Sequence, residues 1–235
     1  MKVLVVGNGS MGTVLYKELI ERGDSVTIVP DLNRGVEGRF DVLIDFSHPD
    51  GIQSIVNFSR TNQIPTVIAT TGYTDSQFEL INDLSQQVPI LYSGNYSLGV
   101  ILMERLVREA SQVLGTDFDI EIIEKHHHHK IDAPSGTAKM LVNAANEQLD
   151  YKVIYGREGI CKRGEKEIAV HTVRGGSIVG EHEVLFAGAD EILSIKHEAL
   201  SKTIFAKGAI KGACWLIGKV ARLYSMEDVL FRGVG

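Results

Sequence analysis

The chain opens with an apolar run from Lys2 to Val6, which passes into a glycine-rich loop and then into a segment of helical periodicity. This order of strand, glycine loop and helix constrains the fold more than any other feature of the sequence. Gly7 permits a tight turn, Gly9 lets the backbone approach a pyrophosphate, and Gly12 lets the helix pack close to the strand. A dinucleotide-binding loop is therefore predicted, formed by Gly7, Asn8, Gly9, Ser10, Met11 and Gly12.

A second predicted strand, residues 25–29, ends near Asp31, about 20 residues beyond the glycine loop. In this type of fold an acidic side chain at that point accepts hydrogen bonds from both hydroxyls of the adenosine ribose. The same carboxylate would repel the 2′-phosphate of NADPH, so Asp31 favours NADH. Arg34 lies close enough in sequence to pair with that phosphate, which leaves use of NADPH open as well.

Strand and helix patterns continue to alternate as far as Tyr92. Predicted strands lie at 41–46, 65–70 and 88–92, with helices at 49–61 and 74–86. The alternation predicts an α/β fold with a Rossmann-type, doubly wound parallel sheet, whose ligands lie outside the carboxyl ends of the strands. Loops 45–48, 69–72 and 93–96 fall there. His48 in the first of them is interpreted as a helix-start residue, since no titratable cluster surrounds it.

Beyond a long predicted helix at 97–114 the pattern becomes rich in strands. They are predicted at 118–124, 152–155, 168–173, 178–186 and 192–195, before a final apolar helical segment at 201–218. Short strands with glycine punctuation favour antiparallel neighbours. A second α+β domain with an open, largely antiparallel sheet is therefore expected.

Most of the chemistry lies between the first of these strands and the next helix, in Glu121-Ile-Ile-Glu-Lys-His-His-His-His-Lys-Ile-Asp-Ala-Pro-Ser-Gly-Thr-Ala138. The helix begins near Ser135, so free backbone N–H groups and the hydroxyls of Ser135 and Thr137 form an anion site suited to a carboxylate. The four histidines and Lys130 can donate protons and attract negative charge. Together these groups suit an anionic substrate that must be protonated.

The histidine run has three other interpretations. An expression tag would lie at a terminus, whereas this run is internal. A zinc site fits poorly, because no HExxH motif is present and adjacent histidines on an extended chain point to opposite sides, so no metal is expected. A solvated basic loop stays open as the plain alternative. His171, His182 and His197, on predicted strands, are interpreted as structural.

The pattern E-I-x-E-x-H-x-x-x-K-x-D-x-P-S-G-T-A, met from Glu121 to Ala138, resembles the signature of the dihydrodipicolinate reductase (4-hydroxy-tetrahydrodipicolinate reductase) family. The resemblance extends over nearly the whole chain. It implies hydride transfer from NAD(P)H to the cyclic dicarboxylate 4-hydroxy-tetrahydrodipicolinate, which gives tetrahydrodipicolinate in diaminopimelate and lysine biosynthesis. It also implies a dinucleotide-binding domain at 1–97, completed by 203–235, and a substrate-binding and oligomerisation domain at 98–202 that builds a homotetramer.

The resemblance implies roles for particular residues. Lys130 is the expected proton donor and His126 the donor or acceptor, while His128 and His129 have no assigned role. The substrate contacts are expected from His127, Ser135, Gly136, Thr137 and Lys202, the last standing where many relatives have arginine. The nicotinamide half of the cofactor is expected beside Ala69, Thr70, Thr71, Gly72, Ser93, Gly94, Asn95 and Tyr96.

The resemblance also bears on cofactor choice. In relatives that accept NADPH readily, the residue after the ribose-binding acid is often arginine, whereas here it is Leu32. NADH is therefore the expected preferred cofactor. Leu32→Arg is expected to shift the preference toward NADPH.

Composition narrows the remaining function classes. A net charge of −6 argues against nucleic acid as the main partner, and no apolar run approaches a membrane span. The two cysteines lie far apart, which fits reduced thiols in a cytoplasm. Two rival functions stay open: a redox-sensing dinucleotide binder without turnover, and an oxidoreductase of similar architecture that acts on a different small acid.

Overall fold

The computed structural model describes residues 1–33 and 35–231, and the chain divides into two compact units. The first unit comprises Met1–Leu98 and the segment from Lys202 onward, and the second comprises Gly99–Ser201. Each unit contains one sheet. Among the described residues, no helix has both the length and the apolar character needed to cross a membrane.

The first unit begins with alternating strands and helices. Its strands are β1 (Lys2–Val6), β2 (Ser25–Val29), β3 (Val42–Asp45), β4 (Thr66–Ile68) and β5 (Ile90–Tyr92), and its helices are α1 (Ser10–Glu21), α2 (Ile52–Asn62) and α3 (Asp75–Ser85). Strands β3 and β4 are buried along their whole length, as strands covered on both faces by helices must be. Their apolar runs therefore belong to the middle of a parallel sheet.

Two helix starts in this unit follow from local sequence. At α3, the Thr74 hydroxyl accepts the Gln77 backbone N–H at 3.3 Å, and the Gln77 side chain accepts the Thr74 N–H at 3.0 Å. These two bonds form a capping box. Before α2, the chain makes a 3₁₀ turn over Pro49–Gly51, and His48 Nδ1 accepts the Asp50 N–H at its start. The interpretation of His48 as a helix-start residue is confirmed.

The second unit carries a five-stranded sheet with two helices. Its elements are α4 (Leu98–Leu114), β6 (Asp119–His126), α5 (Gly136–Asn146), β7 (Lys152–Tyr155), β8 (Glu167–Arg174), β9 (Gly180–Ala187) and β10 (Ile192–Ala199). The strand order is β10-β9-β6-β8-β7. β9 is antiparallel to both β6 and β10, whereas β8 is parallel to both β6 and β7. The expectation of a largely antiparallel sheet was wrong, since the sheet is mixed.

Alternation along β6 decides which side chains enter the core of this unit. Ile120, Ile122, Glu124 and His126 are buried, and the residues between them are more exposed. The two isoleucines pack with Val107 of α4 and Leu141 of α5. Glu124 and His126 thus lie at the polar end of an apolar face that the two helices cover.

After the second unit the chain returns to the first sheet through α6 (Thr203–Leu216), β11 (Leu223–Tyr224) and α7 (Met226–Phe231). β11 pairs in parallel with β5 and completes the order β11-β5-β4-β3-β1-β2. At Gly208 in α6 a Cβ would lie 1.6 Å from the Tyr96 carbonyl oxygen, so this helix approaches the backbone closely. The predicted doubly wound parallel sheet is confirmed.

Candidate active site

The glycine loop between β1 and α1 has the steric character that its sequence predicts. Gly7 has φ +99°, and a Cβ there would lie 2.3 Å from the Phe46 carbonyl oxygen. A Cβ on Gly12 would lie 1.8 Å from the Gly7 carbonyl oxygen, while one on Gly9 would meet nothing within 4 Å. Gly7 and Gly12 therefore allow the turn and the close packing, and Gly9 leaves open space where a ligand can approach.

Gly9 is also the N-cap of α1 and, having no side chain, makes no side-chain hydrogen bond to the helix start. The N–H groups of a first helical turn, with the positive end of the helix dipole, favour an anion. Asn8 and Ser10 flank this point and are exposed, and Met11, the next residue, is half-buried. The loop is thus compatible with the predicted binding of a pyrophosphate.

A cavity of about 710 Å³ in the first unit joins the glycine loop to the end of β2. Asp31 lines it, and Asp31 Oδ1 accepts the Asn33 N–H at 2.9 Å. The cavity is also lined by the polar residues Asn33, Ser47, Gln53 and Asn57, which have no predicted role, and by His48. An elongated ligand that begins at the loop can therefore reach the carboxylate of Asp31.

Leu32 does not face this cavity. Its side chain is buried and packs with Leu4, Leu43 and Ile55 in the core of the first unit. An arginine at this position would have to enter the core or turn away from it, and the expected shift of Leu32→Arg toward NADPH stays a prediction. Asn33, the next residue, is exposed and lines the cavity. Arg34 lies outside the described residues.

The loops after β4 and β5 carry both accessible and structural groups. Thr71, Gly72 and Gly94 are exposed, Ala69 is half-buried, and Gly72 has φ +87°. Thr70 is buried. The accessible part of this loop is thus Thr71 and Gly72, and its contact with the nicotinamide half of a cofactor stays a prediction.

In the loop after β5, side chains mainly hold the backbone. The hydroxyl of Tyr96 is buried, at 2.9 Å from the Ile68 carbonyl oxygen and 3.1 Å from that of Leu91. Ser93 Oγ donates to the Asn95 carbonyl oxygen, and Asn95 Oδ1 accepts the Ser97 N–H at 2.8 Å. These side chains shape the loop, and the surface left for a cofactor is largely backbone around Gly94.

The same sheet edge holds a buried carboxyl group that the sequence analysis left without a role. Asp45 ends β3 with no exposed surface, and its Oδ1 accepts the N–H of Ser47 at 3.0 Å and its hydroxyl at 2.5 Å. The Tyr73 hydroxyl donates to Oδ2 at 3.3 Å. Burial raises the pKa of Asp45, although these hydrogen bonds lower it. In the sequence, the feature that could have indicated this buried group is a single aspartate at the end of an apolar strand.

In the second unit, the signature residues surround Glu124. Its Oε1 accepts the Ser135 N–H at 3.1 Å and Arg174 Nη2–H at 2.8 Å. Its Oε2 accepts Arg174 Nη1–H at 2.9 Å and faces Nδ1 of His126 at 2.5 Å. Burial would raise the pKa of Glu124, but the bonds from Arg174, His126 and Ser135 outweigh it and lower the pKa. The carboxylate is therefore charged.

His126 is buried beside this carboxylate. Because an ionised carboxylate only accepts hydrogen bonds, Nδ1 of His126 must carry the proton, which leaves Nε2 as the atom that can exchange one. Burial lowers the pKa of His126, and Glu124 partly offsets that effect. A Cβ on Gly180 would lie 3.1 Å from Nε2, so the glycine leaves room for the ring.

The remaining members of the histidine run leave the strand. His127 is half-buried, whereas His128 and His129 are exposed in a turn with their Nε2 atoms 2.9 Å apart. Lys130 Nζ lies 2.7 Å from Asp132 Oδ1. His126, the last residue of β6, is thus buried, whereas Lys130 and the exposed rings of His128 and His129 lie beyond the end of the strand.

Ser135 lies at the start of the helix, as the sequence predicts. It is buried as the N-cap of α5, and its Oγ accepts the Ala138 N–H at 3.2 Å and lies 3.0 Å from His182 Nε2. Its hydroxyl is therefore engaged within the protein, and the expected substrate contact of Ser135 stays a prediction. Gly136 and Thr137, in the first turn, are exposed and half-buried.

His182 and Lys202 are distant in sequence from the signature. The rings of His182 and His126 meet edge to face, with centroids 5.1 Å apart, so His182 belongs to this site although it was interpreted as structural only. Burial lowers the pKa of His182 to about 4. Lys202 is exposed and is the N-cap of α6 in the first unit.

Glu124, His126 and His182 have ligand atoms within 4.8 Å of one another, which is the composition of a possible metal site. Both carboxylate oxygens, however, are bonded to the guanidinium of Arg174. A cation would have to displace that positive group. The cluster is therefore better suited to holding a proton on His126 than to binding a metal ion.

Comparisons with known proteins agree with this geometry. Residues 17–96 match the family model "Dihydrodipicolinate reductase, N-terminus", and residues 99–230 match "Dihydrodipicolinate reductase, C-terminus". The glycine loop precedes the first matched range.

Named relatives cover most of the chain. A "4-hydroxy-tetrahydrodipicolinate reductase" from Brachyspira hyodysenteriae is 45% identical over 98% of this chain and 100% of its own length. One of the same name from Clostridium novyi is 47% identical over 81% of this chain and 76% of its own. Among solved structures, a dipicolinate-bound dihydrodipicolinate reductase from Paenisporosarcina sp. TG-14 has a TM-score of 0.78 at 19% identity, covering 98% of this chain and 100% of that one. This last likeness supports the fold.

Proposed function

This chain belongs to the dihydrodipicolinate reductase family, and from that premise we propose that it reduces 4-hydroxy-tetrahydrodipicolinate to tetrahydrodipicolinate with NAD(P)H and a proton, while the 4-hydroxyl group leaves as water. The observation that carries the proposal is the buried Glu124–His126 pair at the end of β6. Lys130 and the start of α5 follow that strand end in the chain. A proton-transfer group and a carboxylate-binding helix start therefore belong to the same unit.

The cofactor half of the proposal rests on the first unit. Space above Gly9, the start of α1 and the cavity that reaches Asp31 fit a dinucleotide. When bound, a reduced nicotinamide supplies the hydride. The protein must then hold the acceptor, neutralise its carboxylates and provide a proton.

We assign these tasks to named groups of the second unit. The first-turn N–H groups of α5 at Gly136 and Thr137, with the Thr137 hydroxyl, bind one substrate carboxylate. His127 adds a further contact. Lys130 Nζ and His126 Nε2 hold the proton that completes reduction, because a positioned acid lowers the barrier as negative charge develops on the ring. Lys202 is assigned to a second carboxylate or to a cofactor phosphate.

The decisive experiment mixes the protein, a reduced dinucleotide and a panel of enzymatically generated cyclic dicarboxylates, and follows the absorbance of the reduced nicotinamide. Turnover of the family substrate is expected. Binding of the cofactor without turnover of any acid would indicate a redox sensor, and turnover of another acid alone would indicate a different oxidoreductase.

Variants test the assigned groups. His126→Ala and Lys130→Ala are each expected to lower kcat by roughly 10²–10⁴-fold, as loss of a positioned acid does, with unchanged cofactor affinity. His128→Ala is the matched control, since His128 belongs to the same run but is exposed. If both single variants keep wild-type kcat, the assignment of proton transfer is wrong.

For the cofactor we propose that NADH is preferred, because Asp31 lines the cavity and repels a 2′-phosphate. Asn33→Arg, at an exposed lining position, is expected to raise kcat/KM for NADPH relative to NADH. Leu32→Arg is expected to shift the ratio in the same direction, but also to destabilise the protein, because Leu32 is buried. Arg34→Ala is expected to remove residual NADPH activity. A clear NADPH preference of the wild type would contradict the role of Asp31.

We also propose that the outward face of the second sheet forms a homotetramer interface. Val173 and Ile192 are exposed there, and Ile123 and Leu185 are half-buried on the same face. Light scattering is expected to give about four times the 25.8 kDa chain mass. Paired Val173→Glu and Ile192→Glu substitutions should lower that mass, and a monomeric wild type would contradict the proposal.

The same family role places the chain in a biosynthetic setting. Cys161 and Cys214 are both free and exposed. Free thiols at a surface fit a reducing compartment, and we propose the cytoplasm.

A further inference from the structure

Glu124 joins three separate elements of the second unit. It lies on β6 with no exposed surface, and each of its carboxylate oxygens accepts hydrogen bonds from two groups. The donors come from His126 on the same strand, from Arg174 at the end of β8, and from the backbone of Ser135 at the start of α5.

The register of the sheet makes this arrangement possible. His126 pairs with Arg174 across β6 and β8, so the guanidinium lies beside the histidine and reaches back to Glu124. A planar guanidinium matches a carboxylate through two parallel N–H···O bonds, which fixes the carboxylate in orientation as well as in charge. Burial of the charged carboxylate is tolerable because all of its bonds are made.

Arg174 also ties down the loop between the histidine run and the helix. Its Nη2 donates to the Asp132 carbonyl oxygen at 2.6 Å, and Nη1 donates to the carbonyl oxygen of Val173 at 2.8 Å. Lys130, two residues before Asp132, lies on the segment so held. The guanidinium of Arg174 therefore links the loop that contains Lys130 and Asp132 to the carboxylate of Glu124 on β6.

We propose that Glu124, clamped by Arg174, is a positioning residue that couples His126 to the carboxylate-binding start of α5. Its Oε2 fixes the His126 ring with the proton on Nδ1 and Nε2 directed away from the carboxylate, while its Oε1 fixes the Ser135 backbone that sets the direction of the first helical turn. This inference rests on the proposed function, because it assumes that His126 handles a proton and that α5 binds a carboxylate.

The same strand supplies a matched control. Glu121, three residues earlier on β6, also bonds a histidine and arginines: His171 Nε2 at 2.7 Å, Arg157 at 3.1 Å and Arg163 at 3.3 Å. Glu121→Gln removes a carboxylate from the same kind of ionic cluster in the same sheet. It leaves His126 and the start of α5 untouched.

Kinetics of Glu124→Gln test the coupling. Loss of a charge-assisted hydrogen bond is expected to lower kcat by roughly 10–100-fold, and the loosened helix start should also raise KM for the dicarboxylate. Glu121→Gln should stay within about twofold of wild type in both quantities at the same oligomeric mass. Equal effects of the two variants would overturn the proposal.

A double-variant cycle separates the effect of Glu124 on the His126 ring from its effect on the Ser135 backbone. In a His126→Ala background, Glu124→Gln should lower kcat no further, because its effect on kcat passes through the ring. The KM increase should persist, since it passes through Ser135. Full additivity of the kcat effects would show that Glu124 acts elsewhere.

The pH dependence of the activity of Glu124→Gln gives a readout that a general loosening of the second unit would not change. His126 faces Glu124 on its own strand, Lys130 on the loop, Arg174 on β8 and His182 on β9. Glu124 raises the pKa of His126 and the cationic groups lower it, so neutralising Glu124 lowers that pKa further. If protonated His126 is required, activity of Glu124→Gln is lost at lower pH than in the wild type. An unshifted profile contradicts the coupling.

A measurement on the wild-type protein keeps the inference testable even if Glu124→Gln fails to fold. At a pH high enough for the ring to be neutral, the ring ¹⁵N resonances of His126, assigned by their loss in His126→Ala, should show the single proton on Nδ1. A neutral ring with its proton on Nε2 would overturn the proposal. Because the tautomer does not depend on turnover, it separates failure of this inference from failure of the proposed function, which would instead appear as full activity of His126→Ala.

Discussion

His182 should make the protein sensitive to mild acid. It is buried between Ser135 and the His126 ring, and burial is the largest cause of the fall in its pKa from 6.5 to about 4. The unfolded chain takes up a proton at His182 near pH 6.5, whereas the folded protein takes it up only near pH 4. The stability associated with neutral His182 is therefore complete above about pH 6.5 and is lost as pH falls toward 4.

The size of the loss follows from the two pKa values. Between pH 7 and pH 5, proton linkage with 6.5 for the unfolded chain and about 4 for the folded protein gives a decrease of about 2 kcal/mol in the free energy of unfolding. For a chain of this length that corresponds to roughly 4–8 °C in Tm. His126 and His197 also have lowered pKa values, mainly through burial, and add losses of the same sign.

His182→Gln isolates the share of His182. The amide keeps a polar group near Ser135 Oγ but does not titrate, so the cost of the substitution itself cancels when one variant is compared with itself at two pH values. Urea unfolding followed by circular dichroism at pH 7 and pH 5 should show a decrease smaller by about 2 kcal/mol than in the wild type. His128→Gln, an exposed position, should behave as the wild type.

The result that refutes this reasoning is an equal decrease for the wild type and His182→Gln. It would mean that His182 titrates near 6.5 in the folded protein and is not sequestered beside His126. A larger decrease for the variant would mean that the sign of the linkage is wrong.

Three further predictions concern the helix starts. Gly12→Ala should lower Tm and abolish dinucleotide binding, because its Cβ would lie 1.8 Å from the Gly7 carbonyl oxygen. Gly9→Ala should keep Tm and only weaken dinucleotide binding, because its Cβ would meet nothing within 4 Å. Thermal melts measure Tm and calorimetry measures binding for the two variants. Thr137→Val should raise KM for the dicarboxylate but not for the cofactor in steady-state assays, and an equal rise for both would contradict a carboxylate-specific contact. Ser135→Ala should cost about 1–2 kcal/mol of stability in urea titrations through loss of the N-cap, and an unchanged free energy of unfolding would disprove that role.

Features that depend on near neighbours were predictable from the sequence. The turn at Gly7, the close packing at Gly12 and the capping box of Thr74 each arise within a few residues, where backbone sterics and one or two hydrogen bonds decide the conformation. The alternation of strands and helices in the first half likewise implied a parallel sheet. The signature indicated the family, but the pattern itself carried no information on which atoms bond.

Side-chain direction was less accessible, even for residues inside recognised segments. Leu32 follows Asp31 directly, yet one packs in the core and the other lines the cavity. Ser135 and Thr137 are both hydroxyl residues at one helix start, yet the serine hydroxyl caps the helix and faces His182. Neighbouring residues on one segment can face opposite sides of the chain. Which of them faces the ligand depends on the conformation of the loop, and that conformation is set by the tertiary structure.

The sequence by itself thus determined the glycine loop, the parallel sheet and the short segment that carries the candidate chemistry. Tertiary structure decided the partners of that segment. Arg174 and His182 approach Glu124 only because β8 lies parallel to β6 on one side and β9 antiparallel on the other. Apolar alternation is the same for either direction and for several registers, so strand order and pairing depend on the packing of the whole sheet against α4 and α5.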